Sequence, residues 1–148
     1  MKKNFLLKIL FVYLFFNINV YAAKTNYFDE GVNLYNKKSF DKSKILFERD
    51  IVYNPKNEKS YLYLAKIFNH NEKDDEYEVN LNNVLVLNPT NDEAIYLLIL
   101  LKVKQSDYKK AKQLITQFNQ VCNSFCAKKN EIEEKFNKIT PENEKDND

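Results

Sequence analysis

The sequence predicts an all-α protein, a solenoid built from a repeated pair of helices, and three observations carry that prediction. Pro55 and Pro89 stand 34 residues apart, in Asn54-Pro55-Lys56-Asn57 and Asn88-Pro89-Thr90-Asn91. Proline cannot continue a helix, so these are the stops of one recurring unit. Apolar positions keep the same step: Phe47 aligns with Leu81 and Ile115, Ile51 with Leu85, and Phe40 with Tyr108 two periods on. One glycine in 148 residues argues against a turn-rich sheet protein.

In chain order, Lys2, Lys3 and Lys8 give a basic start, Ile9 to Phe16 form an apolar run, and Val20-Tyr21-Ala22 supplies small residues for a signal peptidase. Residues 1–22 therefore read as a signal peptide cut after Ala22, which predicts a periplasmic or secreted product. The competing possibility is an uncleaved membrane anchor, but the apolar run falls short of the ~20 residues that span a bilayer. No cysteine near the cut offers a site for lipid attachment.

Three units follow over residues 24–122. The first, 24–57, carries Tyr27, Gly31, Leu34, Phe40, Ser43, Phe47 and Pro55; the second, 58–91, carries Tyr61, Leu64, Ala65, Phe68, Leu81, Val84 and Pro89. The third, 92–122, carries Ile95, Leu98, Tyr108, Ala111, Ile115 and Phe118, and Asn123 stands where a closing proline is due. This pattern resembles the tetratricopeptide repeat (TPR), a helix-turn-helix unit of 34 residues. The resemblance implies a close approach of two helices at Gly31, and an altered pitch at Tyr77, where the family prefers a small side chain.

Helical spacing supports the units independently: Ile45, Leu46, Phe47 and Ile51 recur within Asp41 to Tyr53, and Ala111, Leu114, Ile115 and Phe118 within Lys109 to Val121. Thr90 and Glu93 fit a capping box opening the fifth helix, and Ser106 fits an N-cap for the sixth. Residues 123–140 read as a disulfide turn and a capping helix, with Ile132, Phe136 and Ile139 on one stripe. Residues 141–148 hold Glu142, Glu144, Asp146 and Asp148 against Lys145 and are expected to be a disordered acidic tail.

Composition excludes much chemistry. Three of the 23 basic residues lie in the leader, so the rest of the chain is close to neutral and bulk nucleic-acid binding is not expected. His70, the only histidine, sits among Asn69, Asn71 and Glu72, as a solvent-exposed turn residue would. With Cys122 and Cys126 it makes no zinc spacing, and there is no glycine-rich phosphate loop or haem attachment motif. No enzyme activity, cofactor or metal is predicted. Cys122 and Cys126 admit two readings, a structural disulfide stapling the cap to the array or a redox pair; export to an oxidising compartment favours the staple.

The TPR resemblance implies that the first helix of each unit lines a groove for a protein or peptide partner. Carried over by alignment, its positions are Phe28, Val32, Tyr35 and Asn36, then Leu62, Lys66, Asn69 and His70, then Tyr96, Leu100, Val103 and Lys104. This would be a mainly apolar and aromatic groove. The Lys, Asn and Arg clamp for acidic carboxyl ends is missing, its places being taken by Phe28, Val32, Lys66, Glu93 and Leu97. Ala94 to Leu101 is apolar without a break, so either neighbouring helices cover it or it is an interaction surface, a homodimer included. The expected function is an exported adaptor or scaffold with a cell-envelope protein partner. The alternatives are a thiol-disulfide redox protein using Cys122 and Cys126, or a structural subunit of an envelope complex.

Overall fold

The structure, a computed structural model, describes residues 26–139 as seven α-helices: α1 (Tyr27–Asn36), α2 (Phe40–Tyr53), α3 (Glu58–His70), α4 (Asp74–Leu87), α5 (Asp92–Lys104), α6 (Tyr108–Val121) and α7 (Lys129–Ile139). There is no strand among the described residues. Each helix packs on the next in sequence from α1 to α6, and α7 rests on α5 and α6. The expected signal peptide and acidic tail lie outside the described residues.

The repeat is written into the backbone. Lys38, Glu72 and Ser106 have φ of 59°, 57° and 60°, and they stand one period apart. Each ends the first helix of its unit in the same left-handed turn, closed by Ser39, Lys73 and Asp107 N–H donating to the carbonyls of Leu34, Phe68 and Lys102, all at 2.9 Å. Glycine is the usual occupant of this conformation, which costs other residues about 1–2 kcal/mol. The second helices end equally regularly: Asn54, Asn88 and Cys122 N–H donate to Asp50, Val84 and Phe118 C=O at 2.6, 2.8 and 2.8 Å. Cys122 is therefore the third unit's equivalent of the asparagine that precedes each proline.

Two helix starts differ from expectation. Asn91, not Thr90, caps α5, its side chain accepting from Ala94 N–H at 2.9 Å. Thr90 donates instead to Asn88 Oδ1, and Glu93 turns to Lys66. Asp107 caps α6 by accepting from Lys110 N–H at 3.1 Å, because Ser106 is held in the left-handed turn and cannot take the cap geometry.

Carboxylates hold the turns between units. Buried Asp50 accepts from Asn54 Nδ2 at 2.9 Å, Asn57 Nδ2 at 2.7 Å and Ser60 Oγ at 2.5 Å, so its charge is met by three donors. Glu58, at the start of the second unit, accepts from Asn88 Nδ2 at 3.0 Å and Asn91 Nδ2 at 3.4 Å in the next turn. Asp92, at the same place in the third unit, accepts from the N–H of Asn123 at 2.7 Å and of Phe125 at 2.8 Å. Burial acts to raise the Asp92 pKa, but the N–H groups of Phe125, Asn123, Ser124 and Glu93 together hold it below the usual carboxylate range.

Side-chain packing divides the array. Gly31 allows α1 to lie against α2, since a Cβ there would meet the Phe47 ring at 2.8 Å. Ser43 Oγ donates to the Gly31 carbonyl at 2.8 Å across the same contact. Phe47, Leu64 and Ile67 form a small core ringed by aromatics, and Ile45, expected with them, is instead exposed because it points away from α1 and α3. The larger core centres on α5, where Ala94, Ile95, Leu98, Ile99 and Leu101 are buried among α3, α4, α6 and α7. Tyr77 is accommodated in it at 3% exposure, and burial, with Asp74, Glu93 and Tyr96 nearby, raises its hydroxyl pKa. Lys102, in the last turn of this helix, is buried and held by Glu78 at 2.6 Å and Gln105 at 2.9 Å.

Cys122 and Cys126 form a disulfide with Cα atoms 5.1 Å apart. Cys126 opens a short 3-10 turn, Cys126–Lys128, and α7 follows it directly. Ile132 is buried and Phe136 partly so, but Ile139, at the last residue of α7, lies beyond the core and is exposed.

Candidate partner-binding groove

The first helices α1 and α3 and the opening of α5 enclose an open cavity of about 520 Å³. Phe28, Asp29 and Val32 come from α1; Glu58, Lys59, Leu62, Tyr63 and Lys66 come from α3; Asn91 and Glu93 come from the start of α5. The residues recur along one side of each helix because positions three and four apart share a face. Its aromatic wall is stiff. Tyr63 stacks on Phe47 at 4.9 Å between centroids, takes the Phe28 ring edge-on at 5.9 Å, and meets Tyr35 at 5.0 Å.

The polar part of the lining is mixed in charge. Lys66 Nζ lies 2.6 Å from Glu93 Oε1 and 5.3 Å from the Tyr63 ring centroid, so the pair bridges α3 and α5 beside the aromatic wall. Glu58 is engaged by Asn88 and Asn91, while Asp29 and Lys59 are exposed to solvent. The arrangement offers apolar surface, carboxylates and amines.

Of the residues assigned to the groove by alignment, Phe28, Val32, Leu62 and Lys66 line this cavity. Tyr35 is half-buried against Phe40 and Tyr63, and Asn36 is exposed at the end of α1. Asn69 and His70 are exposed at the end of α3, the His70 ring 4.4 Å from that of Phe40. The third unit departs from the expectation of an open groove. Tyr96 is as buried as its equivalent Leu62, both at 8%, and Leu100 is half-buried like Val32 and Lys66, but Val103 is 9% exposed where Asn69 is open, and none of the three lines the cavity. Lys104 is exposed and pairs with Asp74 at 2.7 Å.

The covering of Tyr96 explains the difference. Its hydroxyl donates to Glu131 Oε1 at 3.2 Å, Lys128 Nζ stands 5.8 Å from its ring, and Phe125 lies 5.7 Å away. Burial first, and then the Glu131 carboxylate, raise the Tyr96 pKa. Lys128, Lys135 and Tyr96 in turn hold Glu131 down to about 2, against the opposing effect of burial. The chain's own α4, α6 and α7 thus cover the apolar α5.

Sequence reasoning missed Asp29, Glu58, Lys59, Tyr63 and Asn91, and counted Glu93 only as a departure from the acidic-peptide clamp. Lys59 and Glu93 occupy one register, a period apart, so extending the alignment three residues towards the start of each helix would have found them. Tyr63 and Asp29 follow aligned residues directly and turn into the cavity by the local helix twist.

No protein family and no curated protein matches this chain. Among solved structures, the first TPR domain of Spaghetti (RPAP3), determined with the HSP90 peptide SRMEEVD, superposes with a TM-score of 0.67 at 13% identity, covering 76% of this chain and 90% of that one. A chain of the CopN–Scc3 complex superposes with a TM-score of 0.62 at 17% identity, covering 78% of this chain and 67% of that one. Likeness at such low identity is likeness of fold, and the described residues accordingly form an all-α helical array of the tetratricopeptide type.

Proposed function

We propose that the protein is an exported adaptor or scaffold that holds a segment of a cell-envelope protein in the groove between α1, α3 and the start of α5. The cavity itself carries this reading: it is wide enough for side chains of an extended or helical segment, and its wall is a preformed aromatic surface. Spaghetti's TPR domain was determined with an acidic peptide, SRMEEVD. Here Lys66 is neutralised by Glu93, and Asp29 and Glu58 outnumber Lys59. The fitting segment brings apolar side chains to Phe28, Val32 and Tyr63 and a basic one to the carboxylates.

The disulfide supports a staple more than a redox site. Asp92 fixes the loop between the cysteines with a carboxylate, and a negative charge there disfavours the thiolate that exchange chemistry requires. Basic residues at the N-terminus, the apolar run after them and the small residues to Ala22 support export; a mature chain beginning at Ala23 is the expected result of N-terminal sequencing.

A photocrosslinker placed at Val32 or Lys59 in the producing cell tests the groove, with exposed Gln113 on α6 as control. The expected product is one defined segment of another envelope protein, captured from both groove positions, absent from the control and lost from the Lys59 position in a folded Val32→Asp chain. Equal capture from Gln113, or none from the groove in a folded chain, would rule the adaptor out.

A further inference from the structure

The second helices carry an apolar stripe that the groove does not use. On α2, Ile45, Val52 and Tyr53 are 49, 75 and 63% exposed; on α4, Val79, Val86 and Leu87 are 58, 80 and 36% exposed. These are the same three registers of successive units, each pair 34 residues apart. In α6 the first two registers become Gln113 and Gln120, both exposed, so the stripe stops at the third unit. Single exposed apolar side chains are ordinary on a protein surface. A set that recurs in two units, and in the third gives way to glutamine at two registers and to a partly buried Val121 at the last, is a bounded patch, of the sort that marks a contact.

Charge identifies what covers it. Lys42 and Arg49 stand among the apolar residues of α2, and both are exposed. The equivalent residues of α4 are Glu76 and Asn83, and the turns ahead of the two helices carry Lys38 and Glu72. Glu76 has an exposed neighbour in Lys73 at 3.7 Å, a long separation that leaves its carboxylate open to a second cation. Asp41 and Asp75, alike in sign, do not distinguish the two helices. One face thus carries Lys38, Lys42 and Arg49 on α2 and the turn ahead of it, where the acidic Glu48 is tied to Lys44 at 2.7 Å, and Glu72 and Glu76 at the matched heights of α4 and its turn, beside matched apolar residues.

We propose that this face binds a second copy of the chain across a two-fold axis, with α2 of each copy against α4 of the other. The patch is then used twice in one isologous contact, Ile45, Val52 and Tyr53 covering Val79, Val86 and Leu87, and Lys42 facing Glu76 on both sides. Placing α2 on α2 would set Lys42 against Lys42 and is disfavoured. Apolar burial supplies the affinity, and the exposed charge pairs select the register. The contact lies on the second helices, so it stands or falls separately from the groove.

The test is sedimentation velocity over a range of concentrations, on the chain as it accumulates in the producing cell, with helicity checked by circular dichroism. A concentration-dependent dimer is expected. Lys42→Glu and Glu76→Lys, each alone, should weaken it about tenfold, because two attractive pairs become repulsive. Mixing the two variants should restore a heterodimer, as should combining both changes in one chain. Val86→Lys should abolish the dimer while leaving the helicity unchanged. A chain that stays monomeric, a dimer indifferent to Val86→Lys, or failure of the mixed variants to pair would overturn the proposal. So would a stripe occupied by a different protein or by lipid vesicles in place of the second copy.

Discussion

The two ends of the groove are built from the same registers of the same repeat and differ in what covers them: the cavity runs from α1 to the opening of α5, and α7 lies over the rest of α5. Phe28, Val32 and Lys66 line an open cavity with Leu62, 8% exposed, at its floor, whereas Tyr96, equally buried at 8%, and Val103 lie under a later part of the chain. The helices are equivalent; their neighbours are not. At the third unit α7 arrives, pinned by the disulfide, by Asp92 and by Ile132, and Glu131 and Lys128 close over Tyr96. The difference teaches that a groove position in a solenoid is available only where no later segment of the chain has claimed it.

The strongest way to break the contrast is to release α7. Ile132→Ala removes its one buried side chain and should cost about 2–5 kcal/mol, read as lost hydrogen-exchange protection in α7 and increased exposure of Tyr96. Protection in α1 to α3 should hold; a uniform loss would mean that the array opens as one unit. Replacing both Cys122 and Cys126 by Ser should cost about 2 kcal/mol, the contribution of so short a loop, and should again be confined to the third unit and cap.

At the other end, Gly31→Ala drives a methyl group into the fully buried Phe47 ring, which is stacked on Tyr63. Overpacking outweighs the better helix propensity of alanine, and a net loss of about 1–2 kcal/mol in thermal or chemical unfolding is expected. Smaller and of opposite sign is the change of Lys38, Glu72 or Ser106 to Gly. Each relieves a left-handed residue, offset in part by chain entropy, and should stabilise by up to about 1 kcal/mol. Equal gains in all three would show that the turns are equivalent even though the groove ends are not.

Acid should sharpen the contrast most gently. Glu131 is depressed from 4.5 to about 2, first by hydrogen bonds from Lys128 and Lys135. A depressed carboxylate contributes stability above its ordinary pKa and loses it as pH falls through the folded value, so the cap over Tyr96 should loosen between about pH 4.5 and 2. Exchange protection in α7 should fall across that window, and Glu131→Gln should remove the response. An unchanged acid response in that variant would transfer the effect to Asp92, whose pKa is also lowered.

Much of the array was legible along the chain. The spacing of Pro55 and Pro89 sets the unit, and Gly31 opposite a bulky aromatic marks the close helix pair. The caps were harder to read, because Thr90 and Asn91, or Ser106 and Asp107, are all capping residues, and only backbone conformation separates them. Nothing in the sequence marked Asp50, Glu58 and Asp92, because their partners lie in turns up to nearly a full period away.

By itself the sequence determined the period, the helix pairs, the stops and the nearness of Cys122 to Cys126, since these follow from residue types and spacing within a few turns of chain. Tertiary structure alone decided which half of the groove stays open, which carboxylates enter it, and that an apolar stripe remains outside on α2 and α4. The physical reason is that exposure is not a property of a residue or of its helix. It is set by whatever packs against them from elsewhere in the chain, as α7 does on Tyr96.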